Sequence, residues 1–406
     1  MKLWLVASLL LFAVDSVAQP AVPAKQSPVV DRAPSSVDAG DYIYIPGQGP
    51  RDANGAMPAA FADQASQTLK NLKSVVEAAG LTMDHVVYTT IYLTDMSRYA
   101  EMSHIFVAAF GKAPPAGAVL GVAALPDPPI EINAVAVRSI AEKRVVDSPY
   151  HSPDQPFSSG ILTRDRLFIS ALPEAWDAGK IADDPAVQVE FALDQMKAIV
   201  EAAGLDLSHL VFVNPFLTAQ IPMRTMNEHY ARRFEFGNTP ARATIEVSSL
   251  PGGAHIEFTG VAVRDLATRR AVRPKNMQPS PTASPCVFAG DTLYCSAKSG
   301  FIPGMNGGVY AEKTAVQLRQ TMRNQLDNLE EADMSFDQVV ETNVYLDNLA
   351  DTALFDEVYT KYFHGALPAR TTVQQIAPTE RTPDQDGRYP DLEQVSLIAV
   401  RAGSKH

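Results

Sequence analysis

Glu77-Ala78-Ala79-Gly80-Leu81 recurs as Glu201-Ala202-Ala203-Gly204-Leu205, and a more diverged copy stands at Glu330-Glu331-Ala332-Asp333. Each copy closes an amphipathic run and leads into an apolar strand: Val86 to Leu93, Leu210 to Leu217, and Val339 to Leu346. Upstream, Asp41-Tyr42, Asp165-Arg166 and Asp291-Thr292 each open a strand. Downstream, Pro115-Ala116-Gly117, Pro240-Ala241-Arg242 and Pro368-Ala369-Arg370 each introduce another. Every copy ends on Ala-Val-Arg, at 136–138, 262–264 and 399–401. Markers recurring in one fixed order mean an internal repeat, and a repeat sets the architecture before any single element is read.

By period, each copy is a hairpin followed by a helix with apolar residues near i, i+3, i+4 and i+7, as in Ala65, Leu69, Leu72, Val76 and Ala79. A buried strand comes next, then a second helix (Tyr99 to Phe110, Met226 to Phe234, Leu354 to Phe363), then two last strands. The order β-β-α-β-α-β-β predicts an α+β sheet with its helices on one face. Three units are expected, over 37–141, 148–268 and 280–402, joined by the Pro-rich polar linkers 148–156 and 273–282. At the start, Met1-Lys2, an apolar run from Leu3 to Val14 and then Ser16-Val17-Ala18 read as a signal peptide over 1–18, cleaved after Ala18. That predicts a periplasmic or secreted protein, with 19–36 as a disordered lead-in. The apolar run is too short to span a bilayer.

The chain has 406 residues, 46% hydrophobic and 20% charged, which is globular composition with enough apolar side chain for several cores. A net charge of -12 sets the long-range field against nucleic acid and anionic lipid, so neither is expected as a partner. Two cysteines exclude a zinc ribbon, and the eight histidines show no metal-ligand spacing. No phosphate-cradling glycine loop occurs, so neither metal nor cofactor is expected.

The Gly-Leu before a strand, the Pro-Ala-Arg before another and the Ile-Glu-x-x-x-x-Ala-Val-Arg ending resemble the Rid/YjgF family of reactive-intermediate deaminases, three times over residues 37–402. The resemblance implies chorismate-mutase-like (YjgF-like) units, which in the family assemble as trimers with ligand clefts between neighbours. Three units in one chain then imply an intramolecular pseudo-trimer, monomeric as a chain.

The resemblance also implies a site. The family's arginine after Pro-Ala, which grips a substrate carboxylate, is matched by Arg242 and Arg370, whereas the first copy has Gly117. A planar guanidinium holds a carboxylate bidentately and stays charged. An acid five positions before the closing Arg, which would orient water, is replaced by Asn133, Thr259 and Ser396. Glu131 and Glu257 lie two residues earlier, on the same strand face. The third copy has Gln394 there, with Glu393 on the opposite face. Glu257 beside Arg242 is thus the best surviving acid, with Thr259 and Ser396 as candidate water ligands. Substrate-binding positions carried over from the family are Ser170 and Ser296 (Pro46 in the first copy), Phe157 (Ala283 in the third), and Asn227 (Ser103 and Asp356 elsewhere). Thr244 shares a strand face with Arg242 and Glu246, and Thr372 shares one with Arg370 and Gln374. Copy one reads as structural and copy two as least eroded.

Two features stand apart. The third copy is lengthened by the polar segment 379–389, which contains Arg381 and Arg388 and reads as a lid or as a tolerated insertion. Cys286 and Cys295 flank a two-residue Gly290-Asp291 turn and so face each other as a non-hydrogen-bonded pair. That spacing suits a cross-strand disulfide or two reduced core thiols.

The leading expectation is hydrolytic deamination of small 2-imino or enamino acids to 2-keto acids and ammonia, at inter-unit clefts anchored by Arg242 and Arg370. The alternative is a Rid-like protein that binds a small carboxylate without turnover. Ribonuclease activity, a label sometimes given to the family, lacks a catalytic histidine pair or a basic groove here.

Overall fold

The chain is seen in a computed structural model that describes residues 35–152, 155–172, 181–275, 277–304 and 307–401. The expected leader and all but the end of the lead-in lie outside the described residues.

The repeated pentapeptide is a helix stop. The long helices Phe61–Ala78, Pro185–Ala202 and Thr314–Glu331 each run into a residue of positive φ: Gly80 at 77°, Gly204 at 79° and Asp333 at 56°. In that left-handed turn the next two amides reach back to carbonyls of the last helical turn, Gly80 N–H to Glu77 and Leu81 N–H to Val76. Gly204 and Leu205 repeat this on Glu201 and Val200, and Asp333 and Met334 on Glu330 and Leu329. Glycine takes this conformation without a Cβ penalty, and Asp is among the few side chains that tolerate it.

Three large sheets follow, each with its helices on one face, beside a two-stranded ribbon of Ile302–Gly304 and Gly307–Val309. In the first the strand order is Val37–Asp38, Tyr42–Gln48, Ile130–Val137, Val86–Leu93, Ala116–Gly121. The second runs Arg144–Val146, Gly160–Leu162, Arg166–Ile169, Ile256–Val263, Leu210–Leu217, and then the broken edge strand Ala241–Arg242 with Ile245–Glu246. The third runs Arg269–Val272, Cys286–Ala289, Thr292–Ser299, Glu393–Val400, Val339–Leu346, Ala369–Gln374.

Two strands fall between the expected units. Arg144–Val146, which follows the first Ala-Val-Arg, pairs with Gly160–Leu162 and extends the second sheet. Arg269–Val272 pairs with Cys286–Ala289 and extends the third. The Pro-rich segments are therefore internal crossings, and the first and second units each pass a strand to the sheet of the next. This covers a hairpin edge that would otherwise expose unpaired N–H and C=O groups. Cys286 faces Cys295 in register, and the two are joined as a disulfide with Cα atoms 4.0 Å apart.

The sheets close a ring. Ala116–Gly121 abuts Arg166–Ile169, Ala241–Arg242 abuts Thr292–Ser299, and Ala369–Gln374 abuts Tyr42–Gln48. One apolar core, including Tyr44, Tyr92, Phe168, Phe212, Phe216, Tyr294 and Tyr345, draws on all three sheets and fills the barrel. Three further cores lie between each sheet and its helices. Each of the three large sheets is thus buried on both faces, which explains why their strands read as near-continuous apolar runs. No unit can bury its inner face alone.

Candidate active site

The ring creates three joints, and in each an edge strand meets the hairpin of the next unit. Register decides what each side chain faces. In the second unit Ala241, Ala243 and Ile245 point to the shared core, so Arg242, Thr244 and Glu246 point to the helix side. Glu257 and Thr259 stand opposite Phe216 and Asn214 and face the barrel interior. Arg242 and Glu257 are therefore on opposite faces of one sheet with the strand Leu210–Leu217 between them, and the expected partnership is not formed. Thr259 and Ser396 line an axial cavity together with Asn133, away from either arginine.

At the first joint Gly117 N–H donates to Ser170 Oγ (3.0 Å), and Ser170 Oγ donates to the Ser158 carbonyl (2.5 Å). The cleft is plugged. Phe157 is buried edge-to-face on Phe106, 5.3 Å between ring centroids. A Cβ on Gly117 would come within 2.7 Å of the Phe157 ring, so no arginine fits here while the ring is in place. Phe157 is a core residue of a closed cleft and contacts no arginine site.

At the second joint the same serine contact recurs: Arg242 N–H donates to Ser296 Oγ (2.8 Å), which donates to the Ser284 carbonyl (2.6 Å). Ala283 stands in the place of Phe157 and, with Gly237, Arg273 and Ser284, lines a cavity of about 290 Å³ whose walls do not include Arg242. The half-buried Arg242 guanidinium lies over the Tyr230 ring (5.2 Å) and donates to Asn227 Oδ1 (2.7 Å). No carboxylate pairs with it among the described residues. Burial pushes its pKa below the usual arginine range, with Tyr230 opposing. Thr244 Oγ1 is buried on the same face without a hydrogen-bond partner among the described residues.

At the third joint Pro46 replaces the serine. Arg370 lies over Tyr359 (5.1 Å) and Phe355 (5.8 Å), and its Nη1 pairs with Asp356 Oδ1 at 2.7 Å. Thr372 Oγ1 is buried on the Arg370 face, again without a partner among the described residues.

The family model described as endoribonuclease L-PSP matches residues 26–138, 149–264 and 275–378. The chain belongs to the Rid/YjgF family, with three units in tandem. The 2-iminobutanoate/2-iminopropanoate deaminase of Escherichia coli K12 is 38% identical over 128 residues, 30% of this chain and 97% of the relative. A RutC family protein of Pyrococcus horikoshii is 36% identical over 106 residues, 25% of this chain and 84% of the relative. Each relative matches about one unit. A chorismatase structure, 12% identical with a TM-score of 0.52, covers 78% of this chain and 93% of its own, a likeness of fold.

Within this tandem Rid chain the last-strand acids sort by joint. Glu131 lies against Gly47, on the strand that abuts the Arg370 strand. Gln394 is in register with Ser299, on the strand that abuts Arg242. Glu257 belongs to the strand paired with Arg166–Ile169, beside the plugged first joint. Glu393 turns to the helices and accepts from Thr321 Oγ1 (2.5 Å). So serine and arginine meet at the second joint, arginine and Asp356 at the third, and serine alone at the first, while Glu131, Glu257 and Gln394 all stand on the barrel face, opposite Tyr92, Phe216 and Tyr345 and away from the arginines. Burial, helped by Asp127, pushes the Glu131 carboxyl up to about 8. Sequence reading named Asp356 but could not see it as the ion-pair partner of Arg370.

The inserted loop 379–389 is pinned rather than free at its start. Thr379 N–H donates to Asp347 (2.8 Å), and Arg381 pairs with Asp351 (2.7 Å). Among the described residues no group of three or more His, Cys, Asp or Glu side chains could hold a metal, and no helix is long and apolar enough to cross a membrane.

Proposed function

We propose that the protein hydrolyses small 2-imino or enamino acids to 2-keto acids and ammonia, with the substrate carboxylate held by Arg242 at the second joint. The observation that carries this reading is a half-buried guanidinium, oriented by Asn227 and Tyr230, with no carboxylate of its own. A buried cation without a counter-ion is costly, and a bound anion relieves that cost. Thr244 Oγ1 and Ser296 Oγ lie on the arginine's own strand and the facing strand, and a hydroxyl there can hold the water that adds to the imine carbon. Addition gives a carbinolamine, which expels ammonia as its nitrogen gains a proton and its hydroxyl loses one, leaving the keto acid. Arg370 is a second candidate anchor, muted by Asp356. The amino-terminal pattern supports export, so we place the reaction in the periplasm or outside the cell.

A second reading, binding of a small carboxylate without turnover, is favoured by Gln394 standing where a last-strand acid would serve the second joint. The two separate cleanly. An imino acid generated in situ by an amino-acid oxidase is followed as keto-acid release with wild type, Arg242→Ala and Arg370→Ala. Deamination is expected to fall at least tenfold in Arg242→Ala, because the carboxylate contact is charged and bidentate. No acceleration by wild type that still binds carboxylate would reject the deaminase.

A further inference from the structure

On the barrel axis lies a cavity of about 60 Å³ that none of the three joints uses. Each unit lends it one polar pair: Thr90 with Asn133, Asn214 with Thr259, and Asn343 with Ser396. Aromatic rings flank these pairs, among them Tyr92, Phe216 and Tyr345. The third residue of each central strand also faces inward. It is Tyr88 in the first unit, Phe212 in the second and Glu341 in the third, opposite Val135, Val261 and Ile398. An acid thus stands where the repeat otherwise places an aromatic ring.

Glu341 is only 8% exposed, and no Lys, Arg or His lines the cavity. The buried Arg166, nearer the hairpin end, is engaged by Asp165 (2.7 Å) and Tyr294 (2.9 Å) and lies over the Tyr42 ring. Tyr88 Oη, also in the cavity wall, is buried beside the Thr90 and Thr259 hydroxyls. A carboxylate, amide oxygens, hydroxyls and ring faces around a space larger than one water form a receptor for a cation that donates hydrogen bonds. A single carboxylate is too little for a divalent ion, which gathers several hard oxygen ligands. We propose that this axial chamber binds one monovalent cation of the ammonium class, held by Glu341. The site is independent of the joints and stands whether or not they deaminate.

The test is thermal unfolding of the full chain at pH 8, where both the Glu341 carboxylate and ammonium carry their charges, in the chlorides of ammonium, methylammonium, sodium and choline at equal ionic strength. The expected result is a rise in Tm of about 2–4 °C in ammonium, smaller in sodium and absent in choline, and lost in Glu341→Gln. An equal response to all four salts, or an ammonium response that persists in Glu341→Gln, overturns the site. Should that variant not fold, thallium(I) soaked into wild-type crystals replaces it. An anomalous peak beside Glu341 supports the cation, and density for water alone overturns it.

Discussion

The second and third joints hold the same arginine on the same edge strand beneath the same tyrosine, and they differ in what the helix offers it. Asn227 and Asp356 both accept from Nη1 at 2.7 Å, so the geometry is conserved while the charge is not. Asn227 orients Arg242 and leaves its charge for a ligand; Asp356 orients Arg370 and cancels it. The last strands behind the two joints differ in the same sense, with neutral Gln394 behind the second and Glu131 behind the third, both on the barrel face. An arginine in a cleft is an anion receptor only while its own fold does not supply the anion. The largest expected effect therefore comes from exchanging the two helix residues. Asn227→Asp should weaken binding of a small carboxylate at the second joint by about 10–100-fold, the worth of a charged hydrogen bond. Asp356→Asn should raise binding at the third by a similar factor. Titration calorimetry reads this as one site in wild type, none in the first variant and two in the second. Equal sites in wild type would break the comparison.

The first joint sharpens it from the other side. Phe157 occupies the volume that a side chain on Gly117 would need, whereas the small Ala283 borders a cavity of about 290 Å³. Ala283→Phe is expected to carry the plug into the second joint. Carboxylate binding should fall about tenfold, with fold stability changed by about 1 kcal/mol or less because the cavity is already there. Calorimetry and urea unfolding of the same sample check both halves. Unchanged binding would mean that Arg242 is reached by another route.

The fold was legible because the repeat tied local signals together: a glycine stop, a buried strand, a Pro-Ala turn and a closing Arg, three times in one order. What a period cannot give is which strand edge meets which unit. Arg242 and Glu257 share a unit, and their nearness in sequence suggested one site, yet in the ring the edge strand that carries the arginine meets the hairpin of the next unit. Alternation also places them on opposite faces, as the register with Phe212 and Phe216 shows. The crossing strands 144–146 and 269–272 were hidden among prolines and charges because edge strands need little apolar pattern. Cys286 and Cys295 were readable for the opposite reason, since a two-residue turn fixes register by itself. Glu341 offered a signal that the motif reading passed over, an acid inside an otherwise apolar strand.

The acid at the third joint gives the smallest of these effects, and its sign follows from burial. Glu131 is 6% exposed and its folded pKa lies at about 8, above the ordinary glutamate value. Below that ordinary value both folded and unfolded chains hold the proton, and this group adds no pH dependence. Between the two values only the folded chain holds it, so the stability present at acid pH is progressively lost as pH rises toward 8. Wild type should therefore weaken from pH 5 to pH 8, and Glu131→Gln should weaken less, by about 1 kcal/mol or more. Glu341 and Asp391, each pushed up to about 7 by burial, act in the same direction, so the variant flattens the profile without abolishing it. The second joint supplies the control, because Gln394 does not titrate and Gln394→Glu should steepen the same profile. Urea midpoints at the two pH values decide the matter. If Glu131→Gln and wild type lose stability equally, the third joint is not set apart by a buried acid, and Asp356 alone accounts for its difference from the second.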